Sequence, residues 1–275
     1  MTFKPLNEND TVNTRTLLHE AVPLTGAIVS GTYGTANIKT YSHGMFQSVY
    51  DYPYLSSSAN HIFDLTVGVP EDGCTTSSDE QFSKKKNVYN QMAQVLMGYD
   101  ATGSIQKFDE DGNLLAGGAK MTEVFVMPFT RLLAKDEIKK ETFELVIGTG
   151  SFNLPGQGFT STNRVTITDF GASTDYRVNS PAGDYGILYA TGSAMNLSST
   201  STASLSDGNT YWNAGLIFYQ AGIVVLTGSI FGSQLAHPVD TIDGVHAGIQ
   251  ASITGSTIDS LSDGFRHRIY NVQFN

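Results

Sequence analysis

The sequence has few charged residues and almost no cysteine. Of its 275 residues, 15% are charged, and Cys74 is the single cysteine. One cysteine excludes an internal disulfide. Cys74 lies in the polar segment PEDGCTTSSDE with no histidine nearby to activate it, so we interpret it as a loop thiol and not as a nucleophile.

The N-terminus lacks the apolar run of a secretory signal peptide. Its first ten residues, MTFKPLNEND, are polar, which predicts synthesis in a reducing cytoplasm. The formal net charge of −10 would repel the phosphates of nucleic acid and the anionic surface of a membrane, so we expect no direct nucleic-acid binding. The lysine runs at 84–86 and 139–140 lie beside acids, which favours solvated helix faces over phosphate sites.

The longest apolar stretch, GLIFYQAGIVVLTGSIFG at 215–232, has nearly the length of a membrane helix. Gln220 and the Ala221-Gly222 pair interrupt it, and it is rich in Ile, Val, Phe and Tyr. This pattern predicts two buried strands joined at a tight turn, and therefore no membrane insertion.

No motif for cofactor binding or catalysis is complete. The glycine-rich GTGSFN at 148–153 lacks the third glycine of a dinucleotide fingerprint, which favours a simple turn. In DEDGN at 109–113 the acids alternate as in a calcium loop. Leu114 stands where that loop needs glycine and Lys120 where it needs glutamate, so we predict a hairpin turn. The GxSxG turn of many hydrolases is absent.

Histidines are the remaining candidates for metal binding or catalysis. None forms a closely spaced pair on a helix, which favours surface or hydrogen-bonded roles. The six are His19, His43, His61, His237, His246 and His267. We therefore predict no catalytic residue, no cofactor and no metal site. A Ser-His-Asp set assembled from distant parts of the chain stays open as an alternative.

Glycine, tyrosine and β-branched residues favour strands over helices. The sequence has 28 Gly and 13 Tyr, and Ser and Thr crowd its second half. We predict a mainly β fold with one or two helices (α+β), built as an antiparallel β-sandwich or barrel-like body. Because Pro128 has no N–H to donate, we predict that its strand, EVFVMPF, lies at an edge of the sheet or is bulged. The strand candidates are EVFVMPF, FELVIG, NRVTITDF, YGILYAT, AGLIFYQ, GIVVLTGSIF, AGIQASITG and RIYNVQFN.

One helix has a clear apolar stripe. It is predicted to run from about Ser78 or Asp79, either of which can cap its start, to Met97, with Gly98 ending it. Its apolar residues recur at steps of three and four: Phe82, Val88, Tyr89, Met92, Val95 and Leu96. A second, short helix is predicted in RLLAKDEIKK.

We divide the chain into three regions. Residues 1–40 are predicted to form an extended N-terminal arm, because Pro5, Pro23 and several glycines interrupt its short apolar runs. Residues 41–150 form an α+β region with the helix near 79–97. Residues 151–275 form a β-rich region that can be continuous with 41–150 in one domain. Its Ser/Thr-rich segment at 192–210 is predicted to be an exposed loop.

Aromatic residues crowd the segment YSHGMFQSVYDYPYLSSSANHIFDLT at 41–66. Tyr50, Tyr52 and Tyr54 alternate, so an extended segment would place their rings on one side. Tyrosine combines apolar area with a polar tip, as favoured at protein interfaces. We predict that Phe46, Tyr50, Tyr52 and Tyr54 form a protein interface. In the alternative interpretation the apolar side chains of the segment pack the local core: Phe46, Val49, Leu55, Ile62 and Phe63.

Three long phrases resemble a group of virion structural proteins of T-even-like tailed bacteriophages from marine and cyanobacterial hosts. They are the segment at 41–66, KKNVYNQMAQVLMGYDATGSIQKFDEDGN and RLLAKDEIKKETFELVIG. The resemblance spans about residues 15–150, with a weaker match in DGFRHRIYNVQFN. In that group the chain continues past the last strand, whereas this sequence ends at Asn275, so the resemblance carries nothing about C-terminal contacts.

The resemblance implies a non-enzymatic component of the particle, of the tail, baseplate or neck type. It further implies that the partners are other virion proteins and copies of the chain itself, and that the final location is the virion. Two other functions stay open. Surface tyrosines and Trp212 would suit a capsid-decoration or carbohydrate-binding fibre module, although a core role is favoured for Trp212. A particle-associated hydrolase would need a serine or aspartate near a histidine such as His43 or His61.

Overall fold

The computed structural model describes residues 37–50, 52–71, 80–113, 118–129, 137–148, 164–191, 202–205, 207–231 and 257–274. Most of the predicted N-terminal arm lies outside these ranges, as do Cys74, the strand candidate AGIQASITG, and most of RLLAKDEIKK and of the Ser/Thr-rich segment.

Antiparallel strands dominate the described residues, which confirms the predicted mainly β fold. Twelve strands form one sheet: β1 (Ile38–Thr40), β2 (Gln47–Tyr50), β3 (His61–Gly68), β4 (Val124–Pro128), β5 (Glu144–Gly148), β6 (Arg164–Thr168), β7 (Arg177–Ser180), β8 (Gly183–Thr191), β9 (Thr202–Ser204), β10 (Thr210–Phe218), β11 (Ile223–Thr227) and β12 (Ile269–Gln273). Two α-helices, α1 (Glu80–Leu96) and α2 (Ile258–Arg268), and a 3-10 helix (Gly228–Phe231) complete the described elements.

The strand order is β1-β2-β3-β4-β11-β10-β8-β6-β5-β12, with β7 added beside β8 and β9 beside β10. Strands of the predicted regions 41–150 and 151–275 therefore share one sheet. β4 hydrogen-bonds to β11, and β5 lies between β6 and β12. The strand β1 also shows that residues 38–40, assigned to the arm, are part of the sheet.

Both faces of the central strands are buried. In β4, Phe125 and Met127 belong to one core cluster, whereas Val124 and Val126 belong to a second. This follows from the two-residue period of a strand, which sends successive side chains to opposite faces. The second cluster lies under α1 and the segments 99–113 and 118–121. Tyr89 connects α1 to the chain that follows it. Its hydroxyl donates to the Met121 carbonyl at 3.0 Å and accepts from the Phe108 N–H at 3.2 Å.

The sheet is strongly curved, and α2 packs on its inner face. Phe274, next to β12, contacts Phe129, next to β4, with ring centroids 4.9 Å apart, although these strands are distant in the order. Phe265 of α2 stacks on Phe125 of β4 at 5.0 Å. The inner core cluster thus lies between β3, β4, β12 and α2, which gives the sandwich-like body.

The predicted helix at 79–97 is present as α1. It ends where predicted: Gly98 has a φ of 79°, and its N–H donates to the Ala93 carbonyl at 3.1 Å. The predicted apolar stripe is wrong at Val95, which is 62% exposed, since Ala93 lies on the buried face. At Gly68 of β3, an added Cβ would lie 3.0 Å from the Tyr89 Cα, so a larger residue would push α1 away from the sheet by a few tenths of an ångström.

The apolar stretch at 215–232 contains two buried strands, as predicted. β10 and β11 form a hairpin in which Phe218 pairs with Ile223, and the Gly222 N–H donates to the Phe218 carbonyl at 2.8 Å. Among the described residues, no helix combines the length and apolar character needed to cross a bilayer.

Two aspects of the fold differ from the sequence interpretation. β4 is neither at an edge nor bulged, because it pairs with β3 and β11 and carries Pro128 as its last residue. The missing N–H of proline is tolerated there because the ladder ends.

The helix α2 was not predicted. Thr257 caps it by accepting a hydrogen bond from the Ser260 N–H at 3.1 Å, but Gly264 and two serines weaken its sequence pattern.

The two valines of α1 test its orientation. Val88 is 6% exposed, so Val88→Ala should lower the free energy of unfolding by about 2 kcal/mol through lost burial and a residual cavity. Val95→Ala on the same helix should change it by less than about 0.5 kcal/mol. Urea denaturation of both purified variants measures the difference. Equal losses would contradict the assigned buried face.

Candidate assembly surface

The predicted interface residues lie at the β1 end of the sheet. Paired residues Ile38, Val49 and Phe63 of β1, β2 and β3 point to the inner core. The next pair, Ser48 and Asp64, therefore lies on the opposite, outer face. We call the aromatic part of this outer face the edge surface and define it as Tyr41, His43, Phe46, Tyr50, Tyr52, Tyr54 and His61.

A β-bulge in β3 orients one part of the edge surface. Val49 pairs with Phe63, but Tyr50 pairs with His61, so Ile62 is the extra residue. Ile62 and Phe63 are consequently both buried in the inner core, while His61 returns to the outer face. There its ring stacks on Tyr50, with centroids 5.1 Å apart and an interplanar angle of 28°.

The first ring cluster forms in the turn between β1 and β2. His43 stacks on Tyr41 at 5.1 Å with an interplanar angle of 7°, and Phe46 lies 4.8 Å from Tyr41. Gly44 makes this possible because the turn needs its φ of 59°, and its N–H donates to the Tyr41 carbonyl at 2.8 Å. The His43 Nδ1 accepts the Met45 N–H at 3.1 Å, which holds the imidazole in the cluster.

The second cluster contains Tyr50, Tyr54 and His61. The ring centroids of Tyr50 and Tyr54 lie 6.3 Å apart. The extended conformation assumed for residues 50–54 is wrong: the chain turns after Pro53, whose carbonyl accepts the Ser56 N–H at 2.7 Å. Tyr52 therefore lies apart from both clusters.

Exposure separates core from surface within this segment. Val49, Ile62 and Phe63 are buried, as the core interpretation expects, but Leu55 is 84% exposed. Tyr52 and Tyr54 are 50% and 37% exposed. Phe46 and Tyr50 are half-buried, so only part of each ring contributes to the exposed surface.

A hydrogen-bond network joins the two clusters. The Ser48 hydroxyl donates to Asp64 Oδ1 at 2.6 Å and lies 3.2 Å from the Tyr41 hydroxyl. His61 Nε2 lies 2.8 Å from the same Asp64 oxygen. Burial, together with the neighbouring Tyr41, raises the pKa of Tyr50 above its ordinary value. Tyr50 therefore stays neutral at physiological pH and presents an O–H group.

The trio Ser48, Asp64 and His61 has the residue types of a hydrolase but not their order. A catalytic serine must donate to the imidazole, which the carboxylate then orients from its other nitrogen. Here the serine donates to the carboxylate, and the imidazole contacts that same oxygen. Ser48 is also 1% exposed. The trio therefore connects the two ring clusters, and the Ser48 hydroxyl donates to a carboxylate and not to the imidazole.

Other candidate residues have structural roles. Trp212 of β10 pairs with β8 and β9 and packs against the inner core, in line with the favoured core role. Asp109 is buried, and its backbone forms an antiparallel bridge with Lys120, as in a hairpin. Its carboxylate forms an ion pair with the Lys120 ammonium group, so this carboxylate already has a cationic partner. Within the described ranges, no three or more His, Cys, Asp or Glu side chains are grouped to hold a metal ion.

Comparisons with known proteins identify no relative. No protein-family model matches the chain, and no curated protein or solved structure matches it either.

Asp64 is expected to stabilise the edge surface. Asp64→Ala removes the acceptor for the buried Ser48 hydroxyl, so the free energy of unfolding should fall by about 1–3 kcal/mol. Asp175→Ala is the matched control, because it removes an exposed carboxylate that pairs with Arg177 and should cost less than about 1 kcal/mol. Urea denaturation measures both. If the two losses are the same, the network does not hold the surface together.

Proposed function

We propose that the chain is a non-enzymatic structural component of a tailed bacteriophage particle, of the tail, baseplate or neck type. It is made in the host cytoplasm and ends in the virion. Its partners are other virion proteins and copies of itself, bound through protein interfaces.

The edge surface is the observation that supports this proposal most directly. It places two clusters of aromatic and imidazole rings at the β1 end of the sheet, and the exposed Tyr54 belongs to the second of them. Tyr52 and Leu55, on either side of Tyr54 in the sequence, are exposed as well. Clustered exposed apolar groups are one mark of an interaction site. Tyrosines dominate the binding energy of many protein interfaces, because each contributes a large rigid area and a hydroxyl.

The position of this surface in the sheet favours assembly as well. β1 is the end strand of the order and pairs, among the described strands, with β2 alone. The other side of an end strand offers backbone N–H and C=O groups to an incoming strand. A partner can therefore combine backbone pairing at β1 with contacts to the adjacent rings.

The sequence resemblance supports the same proposal from a different direction. Its span of about residues 15–150 contains the whole edge surface. The low charge of the chain, 15% of residues, suits a subunit that buries area against neighbours, since charged residues are depleted at interface cores. The Ser48 hydroxyl donates to Asp64 and not to His61, so this network does not support the alternative of a hydrolase that uses His61.

The double variant Tyr52→Ala, Tyr54→Ala tests the proposal. Both side chains are exposed, so the isolated chain should keep its melting temperature within a few degrees. Incorporation into particles should fall roughly tenfold or more, because each lost tyrosine removes about 1–2 kcal/mol of binding energy. Quantitative immunoblotting of particles purified from infected cells that express the variant measures incorporation.

Tyr99→Ala is the control for this experiment. Tyr99 is 56% exposed and lies beyond the end of α1, away from the edge surface, so its removal should leave incorporation unchanged. Unfolding of the isolated double variant would show that the two rings belong to the core. Absence of the unaltered chain from purified particles would refute the proposed function itself.

A further inference from the structure

We propose that a cleft on the outer face of β6, β5 and β12 binds a neutral saccharide. The cleft has a volume of about 410 Å³ and is lined by residues that include Glu141, Glu144, Thr168, Asp169, Phe170 and Gln273. This volume lies within the usual range of small-molecule sites. The inference goes beyond the proposed assembly role and does not depend on it.

Strand register builds the floor of the cleft. Glu144 of β5 pairs with Thr168 of β6 on one side and with Gln273 of β12 on the other. Directly paired residues share a face, so a hydroxyl, a carboxylate and an amide lie in one row across three strands. The Gln273 side-chain amide donates to Glu144 Oε1 at 2.9 Å, which fixes both planar groups. All three residues are half-buried, so the row remains open to a ligand.

Asp169 holds the wall of the cleft. It is 1% exposed and accepts the N–H groups of Glu141 at 2.7 Å and Phe143 at 3.1 Å, and the Tyr219 hydroxyl at 3.0 Å. Burial raises the pKa of Asp169 above its ordinary value, and these hydrogen bonds act in the opposite direction. The contact pins Glu141 at a φ of 64°, a conformation that residues other than glycine rarely adopt. The wall is therefore held in one shape before any ligand arrives.

An exposed aromatic ring completes the site. Phe170 is 43% exposed at the cleft, and the Tyr211 ring lies 6.1 Å from it. A pyranose ring carries C–H groups on its faces and hydroxyls around its rim. It can therefore stack one face on Phe170 while its hydroxyls meet the polar row of Thr168, Glu144 and Gln273.

Hydrogen-bond capacity favours a polyhydroxylated ligand over a cation. Asp169 already accepts three donors, so it has little capacity left for an ammonium group. Glu144 Oε1 accepts from the neutral amides of Gln273 at 2.9 Å and Asn271 at 3.5 Å, and the other carboxylate oxygen keeps lone pairs that suit hydroxyl donors. Gln273 and Thr168 offer both donors and acceptors, as hydroxyl groups require. Of the described residues that line the cleft, none is basic, which disfavours an anionic sugar.

Saturation-transfer difference NMR of the purified chain with a panel of neutral methyl glycosides tests the proposal. At millimolar ligand, at least one glycoside should receive saturation, with the strongest transfer to the C–H protons of one face of the ring. Phe170→Ala should weaken binding roughly tenfold or more by removing that contact. Glu144→Gln should weaken binding as well, because it replaces an acceptor of two hydroxyls.

Tyr99→Ala serves as the matched control, since it removes an exposed ring that does not line the cleft and should leave the Kd unchanged. A melting curve for each variant excludes unfolding as the cause of a loss. The proposal is overturned by absence of transfer to every glycoside, by binding that survives both cleft variants, or by preferential binding of arginine methyl ester. None of these outcomes bears on incorporation into particles, so the two proposals fail separately.

Discussion

The rest of the structure depends on the pairing of β4. This strand hydrogen-bonds to β3 on one side and to β11 on the other, so it joins β1–β3 to the strands formed after residue 164. Its side chains alternate between the two core clusters, with Phe125 on one face and Val126 on the other. A register shift of one residue would exchange both sets at once. The pairing therefore positions the covering helices, and it attaches the edge surface to the body.

Elements with a strong local signal could be predicted from the sequence, and the others could not. The stripe of α1 is long enough to show its period, and β10 and β11 are apolar runs separated by Gln220 and the Ala221-Gly222 pair, which explains why these elements were predicted. Val95 was misplaced because Ala93, a small residue, does not stand out as apolar although it is fully buried. β1 (IKT) and β2 (QSVY) are only three and four residues long, and each contains two polar residues. They form strands because β1 pairs with β2 and β2 pairs with β3.

The two candidate sites differ in how much of each could be predicted from the sequence. The edge surface comes from one continuous segment, so its aromatic content was visible, whereas the bulge at Ile62 and the turn after Pro53 were not. Those two features decide which rings meet. The cleft combines Glu144, Asp169 and Gln273, which no motif links and which only the β6-β5-β12 pairing brings together. Sequence patterns cannot show a site whose members are neighbours only across strands.

The position of α2 has a consequence for synthesis of the chain. Ser262 of α2 donates to the Leu65 carbonyl of β3 across 197 residues, and Phe265 covers Phe125 of β4. While the ribosome is still translating, the inner faces of β3 and β4 lack the cover that α2 gives them until residues 258–268 have emerged. Long-range contacts of this kind slow folding and leave apolar strands accessible to other nascent chains. Production of this chain in large amounts therefore increases the need for chaperones in the cell that makes it.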